Sequence, residues 1–177
     1  MESSAGGAVT GLEISGLVEK SDFWELQPGN SFAVKSYDPA SGRSLFFRTR
    51  DLSLVGHYQL KGKAPDDMRV ALQPSVTVTG RLIETETGEP AAGYSFYCHD
   101  SSCEKFRIGG NSFSIEANEE GRFEIPGMIA GLTYQIHTAN VQRFSSRKNN
   151  FTIDLTNAKP GSKVELGDVN GKNAKQF

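Results

Sequence analysis

Between Val76 and Ile136, short runs of alternating apolar and polar residues are separated by glycine and proline. In the first run, Val76, Val78 and Leu82 fall on one side of an extended segment, and threonines fall on the other. This period of two is typical of a strand that buries one face. Gly80 interrupts the apolar side, and a glycine there indicates a bulge or a close backbone approach. The pattern predicts an all-β protein.

Turn residues separate the predicted strands, and the main ones are Gly88, Pro90, Gly121 and Gly131. Glycine supplies a positive φ angle and proline withholds a hydrogen-bond donor from the sheet, so both residues end strands. We interpret residues 118–121 as a hairpin-type turn that leads into an apolar face beginning at Phe123. Turn signals recur about every 8 to 12 residues, which is the spacing of β-sandwiches and barrels.

The first part of the chain repeats this pattern weakly. Phe32–Val34 and Phe123–Ile125 share an F-x-[VI] pattern that predicts a strand before a turn. From this weak internal repeat we predict that residues 1–74 are the closing strands of a preceding, related β unit and that residues 75–177 form one complete module. We expect residues 76–170 to fold alone as a sandwich of about seven strands, and residues 1–74 not to, because a half-module lacks a second sheet.

Helical periodicity is almost absent from the sequence. The best candidate is a single turn from Ser21 to Leu26, which Ser21 would cap. Trp24 lies within it and is a candidate anchor between domains, because a large ring near a junction buries much surface.

The stretch from 76 to 136 resembles the carboxypeptidase regulatory-like family. T-G-E-P at 87–90 matches that family's G-x-P pattern. N-E-E-G-R-F-E-I-P-G at 118–127 is similar to its D-x-x-G-x-F-x-I-x-G pattern, although Ala117-Asn118 stands where the family usually has Thr-Asp. The resemblance implies an antiparallel Greek-key β-sandwich, Ig-like or prealbumin-like (transthyretin-like), preceded by a partial β unit. It also implies a noncatalytic spacer or interaction module of a larger bacterial protein, because the family is a scaffold and binding fold.

Charge and hydropathy exclude two classes of partner. The net charge of -2 argues against a basic face for nucleic acid. No apolar run approaches the roughly 18 to 20 residues of a membrane helix, so no membrane insertion is expected. The expected partners are other domains of the parent protein and a glycan or protein ligand. The first residues lack the basic and apolar regions of a signal peptide, and a secreted parent protein stays open.

Two cysteines, Cys98 and Cys103, have four residues between them. Three interpretations stay open: a small disulfide-closed loop, free thiols, and a metal site completed by His99 and His137. The disulfide is favoured over the metal site because structural zinc needs four well-spaced ligands. A disulfide would favour an extracytoplasmic location. No cofactor is expected.

Aromatic residues around the cysteines suggest a ligand surface made of Tyr97, His99 and Phe106. Flat rings present apolar area to a sugar or peptide at low entropic cost, so carbohydrate or peptide binding is the alternative function. The other interpretation of these rings is sandwich core. Catalysis is not expected, because the three histidines lie in separate segments and no G-x-S-x-G elbow accompanies them. A hydrolase with an unrecognised site is the more distant alternative.

Overall fold

A computed structural model describes residues 2–3, 11–18, 24–29, 31–65, 68–84, 87–100, 113–138 and 151–169. At 2–3, 95–100, 113–114, 136–138 and 151 it describes the backbone alone. These ranges contain thirteen strands and no helix, so the all-β prediction is confirmed. Within them, no helical segment has the length and apolarity that a bilayer crossing requires.

Six strands form the first sheet, in the order β1-β6-β5-β4-β2-β3. They are β1 (Glu2–Ser3), β2 (Leu12–Ser15), β3 (Glu25–Gln27), β4 (Arg43–Thr49), β5 (Leu54–Leu60) and β6 (Ala71–Pro74). Neighbouring strands are antiparallel except β1 and β6, which are parallel. One face of this sheet has its own apolar core, formed by Leu12, Ile14, Leu17, Leu45, Phe47, Val70 and Leu72.

Two local predictions in this part of the chain are wrong. Phe32–Val34 is irregular rather than a strand, and its two apolar side chains pack onto the core of the first sheet. The ring of Phe32 meets Phe47 edge-on at 5.9 Å between centroids. Glu25–Gln27 is an edge strand rather than the end of a helical turn, because it pairs with β2. Tertiary contacts override local propensity at both places, through packing at Phe32–Val34 and through strand pairing at Glu25–Gln27.

Seven strands form the remainder, as the sequence predicts. They are β7 (Val76–Leu82), β8 (Ser95–Asp100), β9 (Phe113–Glu116), β10 (Arg122–Met128), β11 (Thr133–Thr138), β12 (Phe151–Asp154) and β13 (Lys163–Val169). One sheet has the order β10-β7-β13 and the other β12-β11-β8-β9. The pairs are antiparallel except β13 with β7, which is parallel and differs from the antiparallel expectation.

A single apolar cluster joins the two sheets of this sandwich. Val76, Val78 and Leu82 of β7 are buried in it, as their alternation predicts, and Tyr134 and Ile153 enter it from the opposite sheet. Burial of apolar surface contributes roughly 25 cal/mol per Å², so this interior stabilises the sandwich.

The turn at 118–121 joins strands of different sheets. A tight turn is present as predicted, since the Gly121 amide donates to the Asn118 carbonyl and the Asn118 amide donates to the Arg122 carbonyl, both at 2.9 Å. Among the described residues, the flanking strands do not pair with each other: β9 pairs with β8 and β10 pairs with β7. Asn118 organises it, since its Oδ1 accepts the Glu120 and Arg122 amides at 3.1 and 2.8 Å. Gly121 has a φ of 74°, and its carbonyl accepts the Leu82 amide at 2.7 Å.

The other glycines predicted at turns also have positive φ angles: 74° at Gly88 and 89° at Gly131. Pro90 forms an isolated antiparallel bridge with Ile83. It thus follows the Gly88 turn directly, where the chain returns toward the end of β7.

Candidate functional site

Part of the sequence-predicted ligand surface lies on β8. The backbones of Tyr97, Cys98 and His99 pair with β11, and Cys98 lies opposite Phe113 of β9. Their side chains, together with Cys103 and Phe106, lie outside the described residues. The disulfide and the aromatic ligand surface therefore stay predictions.

A second candidate site is the junction between the first sheet and the sandwich. Ile129, in the loop from β10 to β11, is buried against Phe46 and Val55 of the first sheet. Trp24 and Leu132 pack against the same cluster. We call these five residues the junction cluster. It places Trp24 between the first sheet and the sandwich, and the role of this residue as an anchor between domains stays a prediction.

Strand β4 explains how the first sheet offers a second apolar face. Leu45, Phe46 and Phe47 are all fully buried, although successive strand residues point to opposite faces. Leu45 and Phe47 enter the core of the first sheet, and Phe46 enters the junction cluster. A run of consecutive apolar residues is the sequence signal of a strand covered on both faces.

Hydrogen bonds surround the junction cluster. The Gln73 side-chain amide donates to the Ala130 carbonyl at 3.2 Å, and this bond links the first sheet to the loop that carries Ile129. The Ser75 amide donates to the Ser53 carbonyl at 2.9 Å, and the Gly161 amide donates to the Pro74 carbonyl at 3.1 Å. The connection between β6 and β7 is therefore held on both sides.

Arg48 covers the outer side of Trp24. Its guanidinium carbon lies 3.9 Å from the centroid of the indole ring, a cation–π arrangement. The same guanidinium donates through Nε to Glu13 Oε2 at 2.7 Å. Glu13 thus fixes Arg48 over the ring, and the pair shields the junction cluster from water.

A third candidate site is an open groove of about 630 Å³ on the outer face of the β10-β7-β13 sheet. Most of its lining is polar, and it includes Thr79, Arg81, Glu116, Arg122, Glu165 and Asp168. Strand register sets their order: Arg122 of β10 lies opposite Arg81 of β7, which lies beside Asp168 of β13. The alternation of residues along β7 did not bring Arg81 together with Arg122, because their pairing depends on strand register.

The groove contains two ion pairs. Lys163 Nζ lies 3.5 Å from Glu124 Oε2, and Arg81 Nε lies 3.7 Å from Asp168 Oδ1. All four side chains are more than a third exposed, so solvent screens both pairs and each adds at most about 1 kcal/mol. No group of three or more His, Cys, Asp or Glu suited to a metal ion occurs in the described part of the chain.

No protein-family model matches this chain, so the resemblance to the carboxypeptidase regulatory-like family stays a prediction. No curated protein matches it either.

Several solved structures are similar in fold. The major pilin subunit BcpA of Bacillus cereus is 12% identical with a TM-score of 0.42, and the alignment covers 78% of this chain and 40% of that one. The shaft pilin SpaA of Lactobacillus rhamnosus GG is 15% identical with a TM-score of 0.37, covering 88% of this chain and 86% of that one. The T6 backbone pilin of serotype M6 Streptococcus pyogenes is 11% identical with a TM-score of 0.36, and the alignment covers 81% of this chain and 38% of that one. This chain thus spans 40% of the length of BcpA and 38% of the length of the T6 backbone pilin.

Proposed function

We propose that this chain is a noncatalytic spacer or interaction module of a larger bacterial protein, and that its two β units keep one fixed relative orientation. The burial of Ile129 between Phe46 and Val55 carries this proposal. Units joined by a flexible linker reorient unless an apolar interface holds them. Here one residue, Ser75, separates β6 from β7. The junction cluster holds the first sheet against the sandwich and so prevents rotation about Ser75.

The proposed partners and location are those that the sequence predicts. The partners are other domains of the parent protein, and an extracytoplasmic location is proposed with them. Carbohydrate or peptide binding at Tyr97, His99 and Phe106 remains the alternative function.

Distance measurements between the units test the fixed orientation. Spin labels at Lys61 and Glu119, both exposed, report on the first sheet and on the sandwich. The native cysteines are replaced by serine so that the labels attach at these two sites alone. We expect one narrow distance distribution for the otherwise unchanged chain. A broad distribution would contradict the proposal.

A junction variant and a matched control sharpen the test. Ile129→Ala removes the central contact, so we expect the distance distribution to broaden while the sandwich stays folded. Leu26→Ala is the control, because Leu26 lies two residues from Trp24 but is 49% exposed. It should leave the distribution unchanged.

Separate expression of the two pieces tests the proposed domain division. We expect residues 76–170 to unfold cooperatively, because one apolar cluster already joins their two sheets. Residues 1–74 alone would expose Phe46 and Val55, which Ile129 covers in the whole chain. A cooperative melt of the isolated 1–74 piece would contradict this division.

A further inference from the structure

Two arginines face each other across the open groove. Arg81 and Arg122 are direct partners in the antiparallel pairing of β7 with β10, and both belong to the outer face of the sheet. Like charges in directly opposite positions destabilise a sheet. The fold therefore places two arginines opposite each other at a cost, which an anion bound near both would reduce further than Asp168 alone does.

The hydrogen-bonding capacity of this pair is largely unused. Arg81 pairs with Asp168 only at 3.7 Å between Nε and Oδ1, which is longer than a hydrogen bond. Arg122 forms no ion pair within the described part of the chain, whereas the nearby Lys163 pairs with Glu124. Guanidinium groups present planar forks of donors that match a carboxylate in bidentate geometry.

We propose that Arg81 and Arg122 bind the carboxylate of a sugar acid whose hydroxyl groups occupy the rest of the groove. The remaining lining carries acceptors: the Glu116 and Glu165 carboxylates and the Thr79 hydroxyl. Sugar hydroxyls donate to such groups. This site goes beyond the spacer role and does not depend on the junction cluster.

The mixed charge of the groove argues against a highly charged anion. Three basic and four acidic side chains line it. A phosphate-rich polymer or another polyanion would meet the carboxylates of Glu116, Glu165 and Asp168 and be repelled. A single carboxylate surrounded by neutral hydroxyls satisfies both the arginines and the acceptors.

Titration of the whole chain with glucuronate, followed by the backbone amide spectrum, tests the site. We expect saturable shifts at Arg81, Arg122 and Asp168 with a millimolar Kd, which is typical of a small open polar site. Arg122→Gln should weaken binding about tenfold, since it removes charge-assisted hydrogen bonds. Arg81→Gln is the second variant, and the spectrum of each variant shows directly whether it is folded.

The controls separate the parts of the proposal. Arg69→Gln removes an exposed arginine outside the groove and should leave the affinity unchanged. Glucose lacks the carboxylate, acetate lacks the hydroxyls and inorganic phosphate is a different anion, so each should bind at least about tenfold more weakly than glucuronate. Equal affinity for any of them, an unaffected Arg122→Gln variant, or no shift at these residues would overturn the proposal. None of these results would alter the distance distribution that tests the spacer role.

Discussion

The buried hydroxyl of Tyr134 accepts a 2.8 Å hydrogen bond from the backbone amide of Ile129. Tyr134 is fully buried in the core of the sandwich, whereas the Ile129 side chain lies in the junction cluster. One hydrogen bond therefore connects the interior of the sandwich with the contact that positions the first sheet. The sandwich core and the interface between the two units share a structural support.

Tyr134→Phe removes this hydroxyl and leaves the ring. We expect a loss of about 1 to 3 kcal/mol in the free energy of unfolding, because the buried Ile129 amide loses its partner. Tyr37→Phe is the control, since the Tyr37 hydroxyl donates to the Gly62 carbonyl at 2.7 Å on the exposed surface. It should cost less than about 0.5 kcal/mol. Urea unfolding measures both losses. Equal losses would show that the buried hydrogen bond stabilises the fold no more than the exposed one.

Gly121→Val should cost more than about 1 kcal/mol, for two reasons. The φ angle of 74° is strained for a β-branched residue, and a Cβ there would overlap the Leu82 carbonyl oxygen. Gly131→Val separates the two effects, because Gly131 has a φ of 89° and open space around it. Thermal unfolding should show the larger loss for Gly121→Val. The reverse order would contradict the backbone overlap.

Phe123 packs directly over Gly80, its partner on the neighbouring strand. Phe123→Ala should cost roughly 3 to 5 kcal/mol, because it opens a cavity in the sandwich core. Gly80→Ala should cost about 1 to 3 kcal/mol, since the new Cβ would lie 2.7 Å from the ring Cζ. Adding Gly80→Ala to Phe123→Ala should cost much less than Gly80→Ala alone. Additive losses in denaturant unfolding would disprove the contact.

Asp51 predicts a pH dependence of stability. The Thr49 hydroxyl at 2.6 Å, and then the Ser53 amide and hydroxyl at 3.1 and 2.8 Å, lower the pKa of this carboxyl to about 2. A lowered folded-state pKa stabilises the fold above the unfolded value of 3.8, and this contribution is lost as the pH falls toward about 2. Asp51→Asn should flatten the pH dependence in that window. A carbon-detected titration that places the Asp51 pKa near 3.8 would contradict this account.

Cys98 and Cys103 should form a disulfide under oxidising conditions, with neither acting as a metal ligand. The added stability should be about 2 kcal/mol or less, because closing so short a loop removes little unfolded-state entropy. Thiol titration of the unfolded, unreduced protein and elemental analysis provide the measurement. Two titratable thiols after air oxidation, or one equivalent of zinc that His99→Ala releases, would support the metal site instead.

Local pattern was enough to predict strand β7 and the residues it buries. The side-chain alternation of Val76, Val78 and Leu82 states directly which face meets the core, because a strand has a period of two. The positive φ angles of Gly88, Gly121 and Gly131 occur where the sequence places turns, since only glycine adopts them without steric cost. The seven strands that the structure describes in the sandwich agree with the number expected from the same signals.

Tertiary structure alone decided the sites. Phe32–Val34 has a strand-like composition, but it is irregular and packs its apolar side chains onto the core of the first sheet. Ile129 becomes the centre of an interface because Phe46 presents a second buried face some eighty residues earlier in the chain. Arg81 and Arg122 become neighbours through strand register. Register and contacts between sheets join residues that are distant in the chain, and no local period in the sequence records them.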